Sequence, residues 1–182
     1  MTPYYGVDRP RETAVIDFII AREGGYVDMA ADKGGPTNMG ITIKTLSDWL
    51  LTPQPVEAIK NLELNEARNI YLTMYIDEPK FHRIQDDALF ALVVDSAVLH
   101  GTRRVTKWLQ RATGQVEDGK FGPLTQAAVN AKEDIYWLFL AERVRSIGAF
   151  LSANRTQAVF AAGWLNRIAM FFDVKKIRGI FD

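Results

Sequence analysis

The sequence predicts a mainly α-helical fold with one small β element near its N-terminal end. Three observations lead there. Most of the 182 residues fall into apolar runs at helical spacing, cut by proline or glycine. The stretch 24–42 breaks that pattern with five glycines, a proline and few large apolar residues. No internal repeat and no low-complexity segment interrupts the rest.

Residues 11–23 place Val15, Phe18, Ile19 and Arg22 at helical spacing, with Asp8 and Pro10 as start signals and Glu23 at the end. Residues 24–42 read as a long loop holding one or two short strands, in the manner of a small hairpin. Helices are expected at 43–51, at 56–61 after Pro53 and Pro55, and at 65–77 before Pro79. The run 86–99, DDALFALVVDSAVL, is the most apolar and should be central, closed by His100-Gly101. Further helices are expected at 102–112, 122–131, 133–151 and 155–172. The tail VKKIRGIFD, mixed basic and apolar, either packs or frays.

Composition bounds the function. The length suits one domain, or a domain with a closely packed lobe, and can bury about two-thirds of the unfolded surface. Twenty-two basic residues balance twenty-two acidic ones, which argues against nucleic acid as the main partner. With no cysteine, disulfides and thiolate chemistry are excluded. The N-terminal MTPYYGVDRPRE has no apolar core of a signal peptide, and no apolar run reaches the length of a membrane span. The expectation is a monomer without stable membrane insertion; a target outside the cell would require delivery by other means.

Glu23-Gly24-Gly25-Tyr26 concentrates the chemistry. A carboxyl at a helix C-terminus meets the negative end of the dipole, and apolar neighbours act in the same direction, favouring the proton-donating form. The two glycines allow a sharp turn and close approach of a substrate. Tyr26 offers a flat face for a sugar ring or a hydroxyl for hydrogen bonding. Asp32 lies nine residues on, where a second carboxylate can stabilise positive charge at a sugar carbon or activate water. Thr37, Asn38 and Thr42 supply small polar groups to hold that water. By chemistry alone, Glu23 is equally a solvated helix-end residue, Gly24-Gly25 a cap, and Asp32, Thr37 and Asn38 turn formers.

Elsewhere, Asp95 sits inside the apolar helix and needs a partner, for which Arg167 is a candidate; Arg167 is equally a candidate partner for Glu23. Trp49, Tyr71, Tyr75, Tyr136, Trp137 and Trp164 have the spacing of core aromatics more than of a sugar groove. His82 and His100 lack neighbours at metal-ligand spacing, so no metal and no cofactor are expected.

The stretch EGGYVDMAADKGGPTNMGIT resembles the signature of glycoside hydrolase family 108, N-acetylmuramidases of phages and bacteria. The match falls on Glu23, Gly24, Gly25, Tyr26, Asp32, Gly34, Gly35, Thr37, Asn38, Gly40, Ile41 and Thr42. Downstream, VEDGKFGPLTQAAV resembles a C-terminal peptidoglycan-binding-like region through Asp118, Gly119, Phe121, Gly122, Pro123 and Thr125. GWLNR, 163–167, resembles the family's closing motif. The Glu23-to-Asp32 spacing is also similar to phage-type lysozymes, in which a threonine follows the aspartate by six residues. Here that place is Asn38, with Thr37 one residue short.

The resemblance implies a lysozyme-like, two-lobed fold. A catalytic lobe would span about 1–85 and a helical, peptidoglycan-binding-like lobe 86–182, with the cleft between them. It implies an endolysin-type muramidase acting on bacterial peptidoglycan at the β-1,4 bond between N-acetylmuramic acid and N-acetylglucosamine. Glu23 would be the general acid, Asp32 its helper and Thr37 a third catalytic group, with Tyr26, Asn38 and Thr42 binding substrate. Such a protein would accumulate in the host cytoplasm and act on the wall from the periplasm after release, causing lysis; a delivered bacterial effector is the alternative setting. A lytic transglycosylase, a chitosanase-like glycosidase and a non-catalytic wall-binding protein are the competing functions.

Overall fold

Pro10 opens the first helix, α1 (Pro10–Glu23), where its missing N–H leaves no hydrogen bond unmade. The computed structural model of the chain describes residues 9–28 and 35–182; Asp8, the other predicted start signal, lies outside them, as does Asp32. The chain divides into two compact units, Met1–Met74 and Tyr75–Asp182. It is mainly helical and lysozyme-like, with a small antiparallel β element beside Glu23, as the sequence predicts.

In the first unit, α1 buries Val15, Ile16, Ile19 and Ile20. The buried stripe is rotated from the predicted one. Phe18 and Arg22 face outward, and the Arg22 guanidinium lies 3.4 Å over the Phe18 ring. That pairing covers the aromatic face without the core. Helix α1 packs on α4 (Leu64–Leu72), which buries Ala67, Ile70 and Tyr71. A two-pronged ion pair joins them: Arg68 donates through Nε and Nη2 to the two oxygens of Asp17, both at 2.7 Å.

Strands β1 (Thr37–Asn38) and β2 (Ile41–Thr42) form a hairpin with Thr37 opposite Thr42 and Asn38 opposite Ile41. The chain passes directly into α2 (Ile43–Trp49), then α3 (Val56–Lys60). The predicted helix 65–77 is regular only to Leu72. Over Thr73–Asp77 it widens into a π-type turn, which shifts the helical phase at the boundary of the two units.

The second unit is built around α5 (Asp87–His100), buried from Ala88 through Ala97. The Asp86 carboxylate caps it, accepting from the Leu89 N–H at 2.7 Å. Helices α6 (Thr102–Ala112), α8 (Ile135–Ala153) and α10 (Val174–Arg178) pack against it, and α7 (Pro123–Ala131) packs on α6. The DGKFGP turn is organised by one buried side chain. Gln110 donates to the Asp118 carboxylate at 2.7 Å and the Lys120 carbonyl at 3.2 Å, and accepts from the Gly119 N–H at 2.9 Å.

The predicted helix 155–172 is divided. A 3-10 turn at Arg155–Phe160 precedes α9 (Ala161–Ala169), and a second at Met170–Phe172 follows it. The Tyr136 hydroxyl takes the Phe171 carbonyl at 2.6 Å, which competes with continuing the helix. The tail packs: Asp173 caps α10, and Ile177 is buried.

Asp95 is fully buried and ion-paired to two arginines. Arg167 reaches its Oδ1 through Nε at 2.9 Å and Nη2 at 2.8 Å. Arg143, itself fully buried, brings Nη2 to 2.8 Å from Oδ2, an electrostatic approach rather than an aligned hydrogen bond. Its charge also lies 5.3 Å from the centre of the Phe171 ring. Burial pulls the Arg143 pKa down, and Asp95 opposes that pull. Of the two partners the sequence offered Arg167, Asp95 is one it pairs with.

At the end of the same helix, burial and then the charges of Arg143 and Arg104 push His100 from 6.5 down to about 4. The native protein therefore holds this imidazole neutral while the unfolded chain protonates it near 6.5. The stabilisation is complete above pH 6.5 and lost as pH falls toward 4.

Two outcomes follow from this packing. Asp95→Ala removes the buried carboxylate that Arg143 and Arg167 both face and should cost about 3–5 kcal/mol in urea unfolding at neutral pH. His100→Gln should flatten the loss of stability between pH 6.5 and about 4 by about 3 kcal/mol relative to the parent, measured by unfolding at stepped pH. Equal slopes in the two proteins would sink the assignment.

Candidate active site

Glu23 is the last residue of α1, and Gly24 follows it with φ +81°, a left-handed conformation that turns the chain sharply off the helix. The chain then extends. Val27 forms an isolated antiparallel bridge with Thr37, exchanging hydrogen bonds of 2.8 and 2.9 Å. The hairpin is thereby joined to the segment leaving Glu23.

The hairpin turn is Met39-Gly40, both at positive φ, +50° and +75°. This two-residue geometry matches the natural twist of the flanking strands. It also brings the backbone onto the catalytic candidate. A methyl group at Gly40 would come within 2.4 Å of the Tyr71 hydroxyl and 2.8 Å of Glu23 Cγ. The Tyr71 hydroxyl donates to the Met39 carbonyl at 2.9 Å. The Glu23 side chain, the hairpin turn and a phenol on α4 therefore meet in one place. Tyr71, which the sequence places among core aromatics, is buried as expected for its ring, but its oxygen faces this junction. The spacing could not have revealed that, because the contact joins residues 32 apart.

The other predicted site residues divide into two groups. Tyr26 is 37% exposed, with its hydroxyl donating to Asp28 at 3.2 Å. Desolvation, and then the Asp28 charge, raise its pKa, so it stays protonated at neutral pH. Asp28 is thus a second carboxylate of this segment, one the sequence reading did not single out. Thr37 is half-buried in β1, five positions from Thr42 but directly opposite it.

Asn38 and Thr42 are occupied in building the hairpin's surroundings. The Asn38 amide donates to the carbonyls of Ile59 and Lys60, at 3.0 and 3.2 Å, satisfying the end of α3. Thr42 is the N-cap of α2, its hydroxyl accepting from the Thr45 N–H at 3.0 Å. Asp32 falls outside the described residues. Among the described residues, no group of three or more histidine, cysteine, aspartate or glutamate side chains is placed to hold a metal ion. No helix among them is long and apolar enough to cross a membrane.

Comparison with known proteins adds to this geometry. Residues 16–101 match the sequence model of the family Glycosyl hydrolase 108. The matched span contains the second part of α1 with Glu23, the glycine-rich segment, the hairpin and α4, and it supports a glycoside hydrolase domain acting on peptidoglycan. A solved structure of Brucella abortus SagA is similar over 93% of this chain and 95% of its own, at 28% identity and a TM-score of 0.78. No curated protein matches the chain. The C-terminal stretch 116–129, which the sequence likens to a peptidoglycan-binding region, lies outside the family match.

The close approach at Gly40 sets a direct expectation. Gly40→Ala should destabilise the protein by about 1–3 kcal/mol, through backbone strain and displacement of Tyr71 or Glu23. Tyr71→Phe, which removes a single hydrogen bond, should cost about 1 kcal/mol. Urea unfolding of both variants checks the order; a Gly40→Ala protein as stable as the parent would remove the constraint.

Proposed function

We propose that this chain is an N-acetylmuramidase that hydrolyses the β-1,4 bond between N-acetylmuramic acid and N-acetylglucosamine in bacterial peptidoglycan. The observation that carries the reading is the position of Glu23. Within the span matched to Glycosyl hydrolase 108, it is the carboxyl-bearing residue at the end of a helix with one buried face, its side chain against the turn of a glycine hairpin. A general acid needs such a fixed station, because proton transfer is effective only within hydrogen-bond reach of the leaving oxygen.

Glu23 donates its proton to the glycosidic oxygen as the C1–O bond breaks, and positive charge spreads over the sugar ring. Asp32 stabilises that charge or takes the proton of the incoming water, and Thr37 orients the water. Tyr26, exposed and protonated, offers its ring face to a sugar. Asn38 and Thr42 serve substrate binding indirectly, since their polar groups hold the hairpin to α3 and start α2. The configuration of the product reports the separation of the two carboxyls, about 5–5.5 Å for retention and about 6.5–9.5 Å for inversion.

The setting we propose is host lysis by a phage endolysin that collects in the cytoplasm and reaches the wall after release. Its support is the resemblance of residues 23–42 to that group of enzymes.

The test is Glu23→Gln assayed on purified peptidoglycan. We expect clearing to slow by about 10²–10⁴-fold with folding unchanged by circular dichroism. A variant that clears walls as fast as the parent overturns the reading. Mass spectrometry of the products separates the chemistry further: reducing N-acetylmuramic acid ends mark hydrolysis, whereas 1,6-anhydro ends mark a transglycosylase.

A further inference from the structure

The GWLNR stretch, 163–167, lies in α9 of the second unit. Within the second unit, its two large polar and aromatic side chains do separate work. Arg167 pairs with Asp95. Trp164 lines a cavity of about 180 Å³, together with His100, Arg104, Trp108, Ser146 and Phe150.

The walls of this cavity are flat and aromatic. His100 and Trp108 lie 5.1 Å apart between ring centres, and Phe150 meets Trp164 edge-to-face at 5.6 Å. Trp108 is backed by Phe139 at 6.2 Å, which fixes its plane. The polar groups are few. His100 Nε2 is buried and has no hydrogen-bond partner among the described residues. A buried polar atom without a hydrogen bond is costly, and such an atom is usually kept for a ligand or a water. Ser146 adds a hydroxyl, and Arg104 is exposed on α6.

Arg143 from α8, Arg104 from α6 and Arg167 from α9 all act on His100 to disfavour its charged form, and the Asp95 carboxylate on α5 opposes them. This arrangement repels a cation and lacks the many donors that a phosphate needs. It suits one carboxylate group on a small, flat or apolar body, with Nε2 and the Arg104 guanidinium donating to the two oxygens.

We propose that this cavity is a binding site for a small carboxylate. If the chain acts on peptidoglycan, as proposed above, the wall has two sources of that group. One is the C-terminal carboxylate of the peptide stem; the other is the lactyl carboxylate of N-acetylmuramic acid freed of its peptide. The site takes the carboxylate from either, and its chemistry does not depend on Glu23.

The same charges give a readout. An anion beside His100 offsets the arginines and lets the imidazole protonate more easily. The chain has two histidines, so His82→Asn assigns the imidazole proton signals in a magnetic-resonance titration. Four probes are added in turn: acetyl-D-alanyl-D-alanine, its C-terminal amide, N-acetylmuramic acid and N-acetylglucosamine. At least one carboxylate should bind saturably and raise the His100 pKa by at least about half a pH unit, while its carboxylate-free counterpart does neither. Which acid binds identifies the source. Arg104→Leu should weaken that binding by about tenfold.

The site is overturned if neither acid moves His100, if acid and neutral counterpart act alike, or if Arg104→Leu leaves the affinity unchanged. None of the probes is cleaved, so a protein that clears walls yet binds neither acid loses this site and keeps its muramidase reading.

Discussion

Gly40 has no side chain, and the first unit is arranged around that vacancy of volume. A β-carbon there would overlap the Tyr71 hydroxyl and the Glu23 methylene in the same step. The hairpin can therefore rest directly on the end of α1 and on α4 only because this position is glycine. Three other features converge on the contact. The Asp17–Arg68 pair sets α1 against α4, the Val27–Thr37 bridge joins the hairpin to the chain leaving Glu23, and Asn38 anchors the hairpin to α3. Each is a modest interaction. Together they hold the hairpin turn against the Glu23 methylenes and the Tyr71 hydroxyl.

The second unit depends on a different device. A carboxylate buried in the most apolar helix is tolerated because two arginines arrive from elsewhere in the chain. Both arginines also act on His100, at the end of α5. One electrostatic arrangement thus ties α5 to α8 and α9, keeps an imidazole neutral and biases the neighbouring cavity toward anions. Replacing the cluster by apolar residues would remove that bias.

Much of the fold is legible in local chemistry. Pro10, Pro123, Asp86 and Gly101 start or stop helices where their backbone preferences say they should. The departures have tertiary causes. The run 155–172 has helical composition throughout, yet Tyr136 captures the Phe171 carbonyl and a 3-10 turn replaces the last helical turn. On α1, Val15 and Ile19 of the predicted stripe are buried, but Phe18 is only half-buried, with Arg22 over its ring, and Ile16 and Ile20 complete the buried face.

By itself the sequence determined the helical class, a small hairpin within the loop 24–42 and the placement of Glu23 at a helix end, because propensity, capping and turn chemistry act over a few residues. The motif of 23–42 marked the site's members without dividing their labour. Only the tertiary structure decided that Asn38 and Thr42 serve the scaffold, that Tyr71 turns its hydroxyl to the hairpin beside Glu23, and that Arg167 pairs with Asp95. Apart from the Thr42 cap, which is local, those outcomes rest on contacts between residues 21 to 72 positions apart, for which neither periodicity nor local preference carries information.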